Sequence, residues 1–287
     1  MSEKSNCLFV GLPGSGKSTF IAALWHLLET KELETNLEIN TLPADRTYLN
    51  KLRNSWLICK PVERNKFGHN NNIVLNIEQK TSGRNADFIF PDVSGEMFEV
   101  QFERRKISED YATTLQSTSG AILFINPEHL KRPVLIGDLK FDEEDDGEVL
   151  NSDISNLPPQ WKHKDDAPTQ VILIDLIQMI MSFIPPPLKL AVVISAWDLI
   201  KNAVDLEYRQ KSPPEWIKLE LPLLHQYLKS NDKIEHTIFG ISAQGGKYDG
   251  DISSLHNMNK QSERIKVEYE GSTTNDISQP INWIFNA

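Results

Sequence analysis

Residues 11–18 read GLPGSGKS, which places glycines, a lysine and a hydroxyl residue at the spacing G-x-x-x-x-G-K-[ST]. The glycines permit positive φ angles, so that consecutive backbone N–H groups can turn inward towards an anion. Lys17 can reach the β- and γ-phosphates of a nucleotide, and the Ser18 hydroxyl can bind Mg²⁺. An apolar strand before the motif and an amphipathic helix after it favour a phosphate-binding loop over an incidental glycine-rich turn. We predict phosphate contacts from Gly11, Pro13, Gly14, Ser15, Gly16, Lys17, Ser18 and Thr19.

Two aspartates follow later strands, and each stands in a motif that resembles a box of Ras-like and translation-factor-type GTPases. Asp92 begins DVSG, similar to the D-x-x-G box, in which the aspartate holds Mg²⁺ through water and the glycine N–H, here that of Gly95, contacts the γ-phosphate. Asp198 ends SAWD, at the place of N-K-x-D, where a carboxylate accepts two hydrogen bonds from guanine. Adenine presents a lone pair at N1 and would be repelled. The resemblance therefore implies GTP and GDP as ligands, with Mg²⁺, in preference to ATP.

A third box, SAQ at residues 242–244, closes the next strand and resembles S-A-K, in which the middle backbone N–H binds the guanine oxygen. Gln244 replaces the lysine of that box, and Ser195 and Ala196 replace the asparagine and lysine of N-K-x-D. The lysine of N-K-x-D normally covers one face of the base, which Ala196 cannot do. Trp197 either stacks on the base in its place or packs in the core. The resemblance thus assigns base contacts to Ser195, Trp197, Asp198, Ser242, Ala243 and Gln244.

The residues that would hydrolyse the nucleotide depart from the same pattern. Glu96 stands where Ras-like proteins have a glutamine that orients the attacking water, and it is either a base for that water or a surface residue. Asn65 stands where a Mg²⁺-binding threonine is expected, and Arg64 is either an arginine finger in cis or an exposed residue without a role. We therefore expect slow hydrolysis. The catalytic candidates are Lys17, Gly95 and Glu96, and the metal-binding candidates are Ser18 and Asp92.

Three longer segments, GLPGSGKSTFIAALWHLL, PDVSGEMFE and VVISAWDLI, together resemble the bacterial double-GTPase family of the translation-factor-related class. The resemblance covers most of the chain, with the boxes in the expected order. It implies a single P-loop GTPase domain over residues 1–287. It also implies an association, known for that family from gene context, with multi-protein bacterial conflict or defence systems.

The elements that must position these loops alternate between apolar strands and amphipathic helices. This pattern is typical of a three-layer α/β fold, here the P-loop NTPase (Ras-like GTPase) fold, with a mostly parallel sheet and helices on both faces. Two polar insertions interrupt it, an acidic one at 128–167 and a second one at 256–272. We expect strands at 6–11, 73–77, 87–90, 121–125, 190–195 and 237–241, and helices at 19–28, 44–58, 103–116, 170–183, 215–229 and 280–285.

The composition of the chain bears on its binding partners, its cellular compartment and the presence of a membrane span. The chain has 30 Lys and Arg against 40 Asp and Glu, a net charge of −10, which argues against a nucleic-acid-binding surface. Its two cysteines, Cys7 and Cys59, and a polar N-terminus predict a cytoplasmic protein. The apolar segment 171–194 contains charged residues and three prolines, and its uninterrupted part is shorter than the roughly 20 residues that a membrane span requires. We expect no membrane span.

The segment 170–183, QVILIDLIQMIMSF, is apolar around almost the whole circumference of a helix. Only Asp175, Gln178 and Ser182 form a polar stripe. One apolar face is enough to pack on a sheet, so the surplus must be covered by something else. The cover is either the chain's own insertions or another protein molecule. We predict a partner-binding or self-association surface on this helix.

Three functions fit these observations. The first is a GTP-binding molecular switch with slow Mg²⁺-dependent hydrolysis, whose state a protein partner reads. The second is an ATP-dependent enzyme, against which stand Asp198 and the absence of an acidic pair beside Asp92. The third is a nucleotide-binding structural subunit without significant turnover, which Asn65 and Glu96 favour.

Overall fold

The computed structural model describes residues 5–43, 45–61, 73–90, 95–133, 162, 166–246, 255 and 258–286. Its strands are β1 (Ser5–Val10), β2 (Leu37–Thr41), β3 (Ile73–Gln79), β4 (Arg84–Phe90), β5 (Thr118–Ile125), β6 (Leu188–Ser195), β7 (Ile234–Ser242), β8 (Lys266–Tyr269) and β9 (Ser272–Thr274). They form one sheet in the order β2-β3-β4-β1-β5-β6-β7-β8-β9. The central strands β4, β1, β5, β6 and β7 are parallel, and the outer pairs are antiparallel.

Helices cover both faces of this sheet. They are α1 (Lys17–Thr30), α2 (Thr47–Leu57), α3 (Glu96–Arg104), α4 (Glu109–Gln116), α5 (Thr169–Met181), α6 (Trp197–Lys201), α7 (Leu206–Gln210), α8 (Pro213–Glu220), α9 (Pro222–Ser230) and α10 (Gln279–Phe285). Short 3₁₀ turns occupy Pro127–His129 and Gln261–Arg264. The predicted three-layer P-loop NTPase (Ras-like) fold class is confirmed.

The alternation of side chains along the central strands builds two separate cores. Cys7 and Phe9 of β1 point to the core formed with α1, α2 and α10. Leu8 and Val10 point to the opposite core, formed with α3, α4, α5, α6, α8 and α9. Because the central strands are parallel and buried on both faces, their carboxyl ends meet at one edge of the sheet. The loops after β1, β5, β6 and β7 therefore gather at that edge.

Two of the predicted helices are interrupted. Residues 103–116 were expected to form one helix, but α3 ends at Arg104 because Arg105 adopts a left-handed conformation with φ 54°. A new helix, α4, starts after Ser108, whose hydroxyl accepts the N–H of Tyr111 at 3.2 Å. Residues 215–229 divide in the same way between α8 and α9, since Pro222 cannot continue the first helix.

The two expected insertions differ in what the structure describes. Most of the acidic segment 128–167 lies outside the described residues. Much of the segment 256–272 is described, and its polar sequence forms a 3₁₀ turn and then β8, which pairs antiparallel with β7. This insertion thus extends the sheet beside the loop that follows β7.

Helix α5 is covered in part by neighbouring helices of the same chain. Its buried side chains face the sheet, while α3 and α9 pack along its flanks. Ile174 and Met181 are half-buried against these neighbours, and Arg105 forms an ion pair with Asp175. Val171 remains 39% exposed. The free apolar surface is therefore smaller than the sequence indicates, and helices, rather than insertions, supply the cover that is described. None of the described helices is long and apolar enough to cross a membrane.

Candidate functional site

The loop between β1 and α1 is closed around the ammonium group of Lys17. Lys17 is 3% exposed, and its Nζ donates to the carbonyl oxygens of Gly11 at 2.6 Å and Leu12 at 3.0 Å. Nζ also lies 3.2 Å from Ser15 Oγ. Gly16 precedes the helix with φ 91°, a conformation that favours glycine. This geometry holds a positive charge inside the loop at the start of a helix, which is the arrangement that phosphate binding requires.

Gly95 lies directly against this loop. A Cβ placed on Gly95 would come within 2.6 Å of Gly11 O and 2.7 Å of Lys17 Nζ, so no side chain fits there. Gly95 has φ 84° and caps α3, whose Phe98 ring lies 5.9 Å from Lys17 Nζ. The start of α3 is therefore in direct contact with the phosphate loop.

Glu96 is the first residue of α3 and is exposed. A carboxylate at that place is stabilised by the positive end of the helix, which gives Glu96 a structural role independent of any catalysis. Asp92, Arg64 and Asn65 lie outside the described residues.

The carboxylate predicted to read the base is held in place by a second box. Ser242 Oγ donates to Asp198 Oδ1 at 2.5 Å and accepts the N–H of Gly245 at 3.2 Å. Ser195 is buried, and its hydroxyl donates to Ile125 O at 3.2 Å. A Cβ on Gly16 would come within 2.6 Å of Ser195 Cβ, so the end of β6 rests on the phosphate loop. The structure thus brings the predicted phosphate and base boxes together.

Trp197 does not line this site. Its side chain is 2% exposed, its ring packs against Gly240 and Trp216, and its Nε1 donates to Glu268 Oε2 at 2.8 Å. A ring fixed in the core cannot stack on a nucleotide base. Of the two roles open from the sequence, the geometry supports core packing, and we remove Trp197 from the base contacts.

The loop after β7 contains a buried amide that lacks a partner. Gln244 is 7% exposed, and neither Oε1 nor Nε2 is bonded by any group in the described part of the chain. The carbonyl oxygen of the neighbouring Ala243 accepts the indole N–H of Trp56 at 2.9 Å. Arg264 stacks on that indole 3.6 Å from the ring centroid and donates to Trp56 O at 2.5 Å. Helix α2 and the insertion at 256–272 therefore support the loop, while the amide of Gln244 has no partner among the described residues.

Comparison with known protein families identifies the family of this chain. The Double-GTPase 1 family matches residues 8–284. The chain belongs to this family. This membership supports the binding of GTP and GDP by the chain. A comparison with curated protein sequences found no match.

Solved structures of translation-factor-like GTPases are more distantly similar. Bacterial selenocysteine-specific elongation factor EF-Sec is 15% identical, with a TM-score of 0.37 over 90% of this chain and 28% of that chain. The GTPase-like domain of S. cerevisiae Ski7, bound to GDP and inorganic phosphate, is 18% identical, with a TM-score of 0.43 over 90% of this chain and 51% of that chain. Sup35 complexed with GDP is 13% identical, with a TM-score of 0.37 over 86% of this chain and 39% of that chain. This chain spans less than two thirds of the length of each of these proteins.

Of the two residues predicted to bind Mg²⁺, Ser18 and Asp92, the structure describes only Ser18. Ser18 follows Lys17 in the first turn of α1 and is half-buried at the mouth of the loop. A serine hydroxyl there is a suitable oxygen ligand beside nucleotide phosphates. A Mg²⁺ ion held there would supply positive charge that offsets the negative charge of the phosphates.

Sequence reasoning missed the turn that follows β5. Asn126 Nδ2 donates to Gly14 O at 2.8 Å, and a Cβ on Gly14 would come within 2.7 Å of His129 Cδ2. Asn126 and His129 therefore both contact the phosphate loop. A usable signal was present, since Asn-Pro directly after a buried parallel strand marks a turn at the carboxyl edge where ligands bind.

Proposed function

We propose that the protein is a GTP-binding molecular switch with slow Mg²⁺-dependent hydrolysis, whose nucleotide state is read by a protein partner. One observation carries the guanine assignment: the carboxylate of Asp198 is fixed by Ser242 at the edge of the sheet that also holds Lys17. An oriented carboxylate can accept both guanine donors, and it repels the lone pair of adenine N1. The same feature argues against an ATP-dependent enzyme.

The switch proposal is supported by the contact of Gly95 with the phosphate loop. Gly95 is the residue before α3, and α3 packs against α5, which retains exposed apolar surface. A rearrangement at the γ-phosphate would thus reach a surface that another protein can contact. The family resemblance leads us to propose a component of a bacterial conflict or defence system as that protein. The cytoplasm suits the chain, since Cys7 and Cys59 are buried free thiols.

Slow hydrolysis is supported by Glu96, which stands where Ras-like proteins have the glutamine that orients the attacking water. Its carboxylate is already stabilised by the N-terminal end of α3. The same observation favours the second candidate, a nucleotide-binding subunit without turnover. Phosphate release separates the two: we expect multiple turnovers at or below about 10⁻³ s⁻¹ with Mg²⁺, as for a Ras-like protein without its activator. If no phosphate is released, the proposal of a nucleotide-binding subunit without turnover is favoured. Rapid release would contradict both the slow switch and the subunit without turnover.

Calorimetric titration with GTP, GDP and ATP tests the binding proposal. We expect GTP and GDP to bind at least about tenfold more tightly than ATP, from the hydrogen bonds to Asp198. Lys17→Ala should weaken GTP by at least about tenfold, because it removes the charge inside the loop. Lys218→Ala, at an exposed position of α8, is the matched control and should bind as the wild type does. Normal GTP binding by Lys17→Ala would refute the site.

A further inference from the structure

One face of the guanine base is left without a cover by the sequence of the SAWD box. Ala196, at the position of the lysine that covers the base in Ras-like proteins, has only a methyl group. Trp197 is committed to the core through Glu268 and Gly240. This inference rests on the proposed guanine-binding function, and it concerns which other side chain of the chain fills that place.

The imidazole of His129 lies at the right junction. The 3₁₀ turn Pro127–His129 packs beside α6, the helix that follows Ala196 and carries Asp198. On its other side the ring meets the phosphate loop, since a Cβ on Gly14 would be 2.7 Å from His129 Cδ2 and 2.9 Å from Nε2. His129 is otherwise exposed. The turn that carries His129 thus contacts both the phosphate loop and the base-reading helix, and the ring keeps surface open to a ligand.

Asn126 fixes this turn to the loop. Its Nδ2 donates to Gly14 O at 2.8 Å, and its Oδ1 accepts the N–H of Glu128 at 3.0 Å. The two hydrogen bonds use both ends of one amide, so they couple the turn and the loop rigidly. The turn that carries His129 is therefore held against the phosphate loop by Asn126.

We propose that His129 covers the face of the guanine base that Ala196 leaves open, with Asn126 as the positioning residue. Stacking between an aromatic ring and a base depends little on which base it is, because every base has a π-face. His129 therefore supplies affinity for the nucleotide, whereas Asp198 supplies the choice of base. This division of roles yields a test that separates the two.

Dissociation constants for GDP and inosine diphosphate, measured for the wild type, His129→Ala and His129→Phe, provide that test. We expect His129→Ala to weaken both nucleotides by roughly tenfold with their ratio unchanged, as for a lost stacking contact. His129→Phe keeps a planar ring and should stay within about threefold of the wild type. Ala196→Lys in the His129→Ala background should restore affinity, because a lysine there can cover the base instead.

Inorganic tripolyphosphate, used as a competitor of fluorescent GDP, distinguishes base coverage from bracing of the loop. It has no base, so its inhibition constant should be the same in the wild type and in His129→Ala. Equal loss of tripolyphosphate and GDP would overturn the proposal, as would unchanged GDP binding by His129→Ala or equal losses in the Ala and Phe variants. A wild type that binds no GDP would instead refute the proposed function itself, and this inference with it.

Discussion

Asp198 accepts a hydrogen bond from Ser242 that an asparagine at the same position can also accept. Asp198→Asn should therefore keep the loop in place while reversing the polarity offered to the base. We expect GTP to bind at least about tenfold more weakly, and the preference to shift towards xanthosine triphosphate by about a hundredfold, because the new amide can donate to the oxo group of xanthine.

Dissociation constants for the two triphosphates measure that shift. Asp232→Asn, in an exposed turn before β7, removes a negative charge without touching the site and is the control. A variant at residue 198 that binds both nucleotides as the wild type does would remove Asp198 from base reading.

Gln244 gives a prediction in which stability and binding move in opposite directions. A buried amide without partners costs about 1–3 kcal/mol, so Gln244→Leu should raise the free energy of unfolding of the nucleotide-free protein by about 1 kcal/mol. If the amide bonds the nucleotide, the same change should weaken GDP by about three- to tenfold. Urea unfolding and calorimetry measure the two effects, and Gln210→Leu, at an exposed position, should show neither. Loss of stability in Gln244→Leu would contradict the assignment of a ligand to this amide.

At the scale of elements, what the sequence predicted well is what local chemistry determines. β1, the phosphate loop and α1 follow from an apolar run, glycines and helical periodicity, and their observed bounds lie close to the predicted ones. The break at Arg105 depends on a left-handed residue that is not a glycine, and no residue type marked it. β8 and β9 are 4 and 3 residues long and lie in a polar segment, so neither length nor alternation pointed to strands.

The surface of α5 remains a predicted partner-binding or self-association site, and the structure indicates where to test self-association. Ile174 and Met181 are half-buried, so charges there would also disturb the fold, whereas Val171 is 39% exposed. We expect the wild type at micromolar concentration to sediment as a larger species than Val171→Glu, because a buried charge disfavours an apolar contact. Gln178→Glu adds the same charge on the polar stripe of the helix and should behave as the wild type does. A monomeric wild type would contradict self-association.

At the scale of the whole molecule, the support of the site comes from segments far apart in the chain. Trp56 of α2 bonds Ala243, and Arg264 of the C-terminal insertion stacks on Trp56 with 1% of its surface exposed. No spacing in the sequence relates these residues, since the contacts arise only when α2 and the insertion pack on the same side of β7. The phosphate and base boxes could be predicted because each is a local motif, but the residues that hold them could not.

A second long-range contact joins α1, the segment after it and the C-terminal insertion, and it makes stability depend on pH. His26 is 5% exposed and its Nε2 lies 2.9 Å from Glu32 Oε1, while Glu32 also accepts the N–H of Ser262 at 2.9 Å. Burial lowers the pKa of His26 below its ordinary 6.5, and this outweighs the opposing effect of Glu32. Burial acts to raise the pKa of Glu32, but the hydrogen bonds from Ser262 and His26 outweigh it, so that this pKa lies below 4.5.

Both shifts predict loss of stability in acid, in two steps. Between the folded pKa of His26 and 6.5 the unfolded chain binds more protons, so the free energy of unfolding should fall as the pH decreases below 6.5. Below 4.5 it should fall further, because protonation of Glu32 weakens its contacts with Ser262 and His26. Urea unfolding at a series of pH values measures both steps. Glutamine at position 26 stays neutral and can still donate a hydrogen bond to Glu32. His26→Gln should therefore match the stability of the wild type above pH 7 and lose less stability in the first step. Burial also lowers the pKa of His236, which accounts for part of the pH dependence that remains in this variant. Identical pH profiles for His26→Gln and the wild type would show that His26 does not link proton binding to folding.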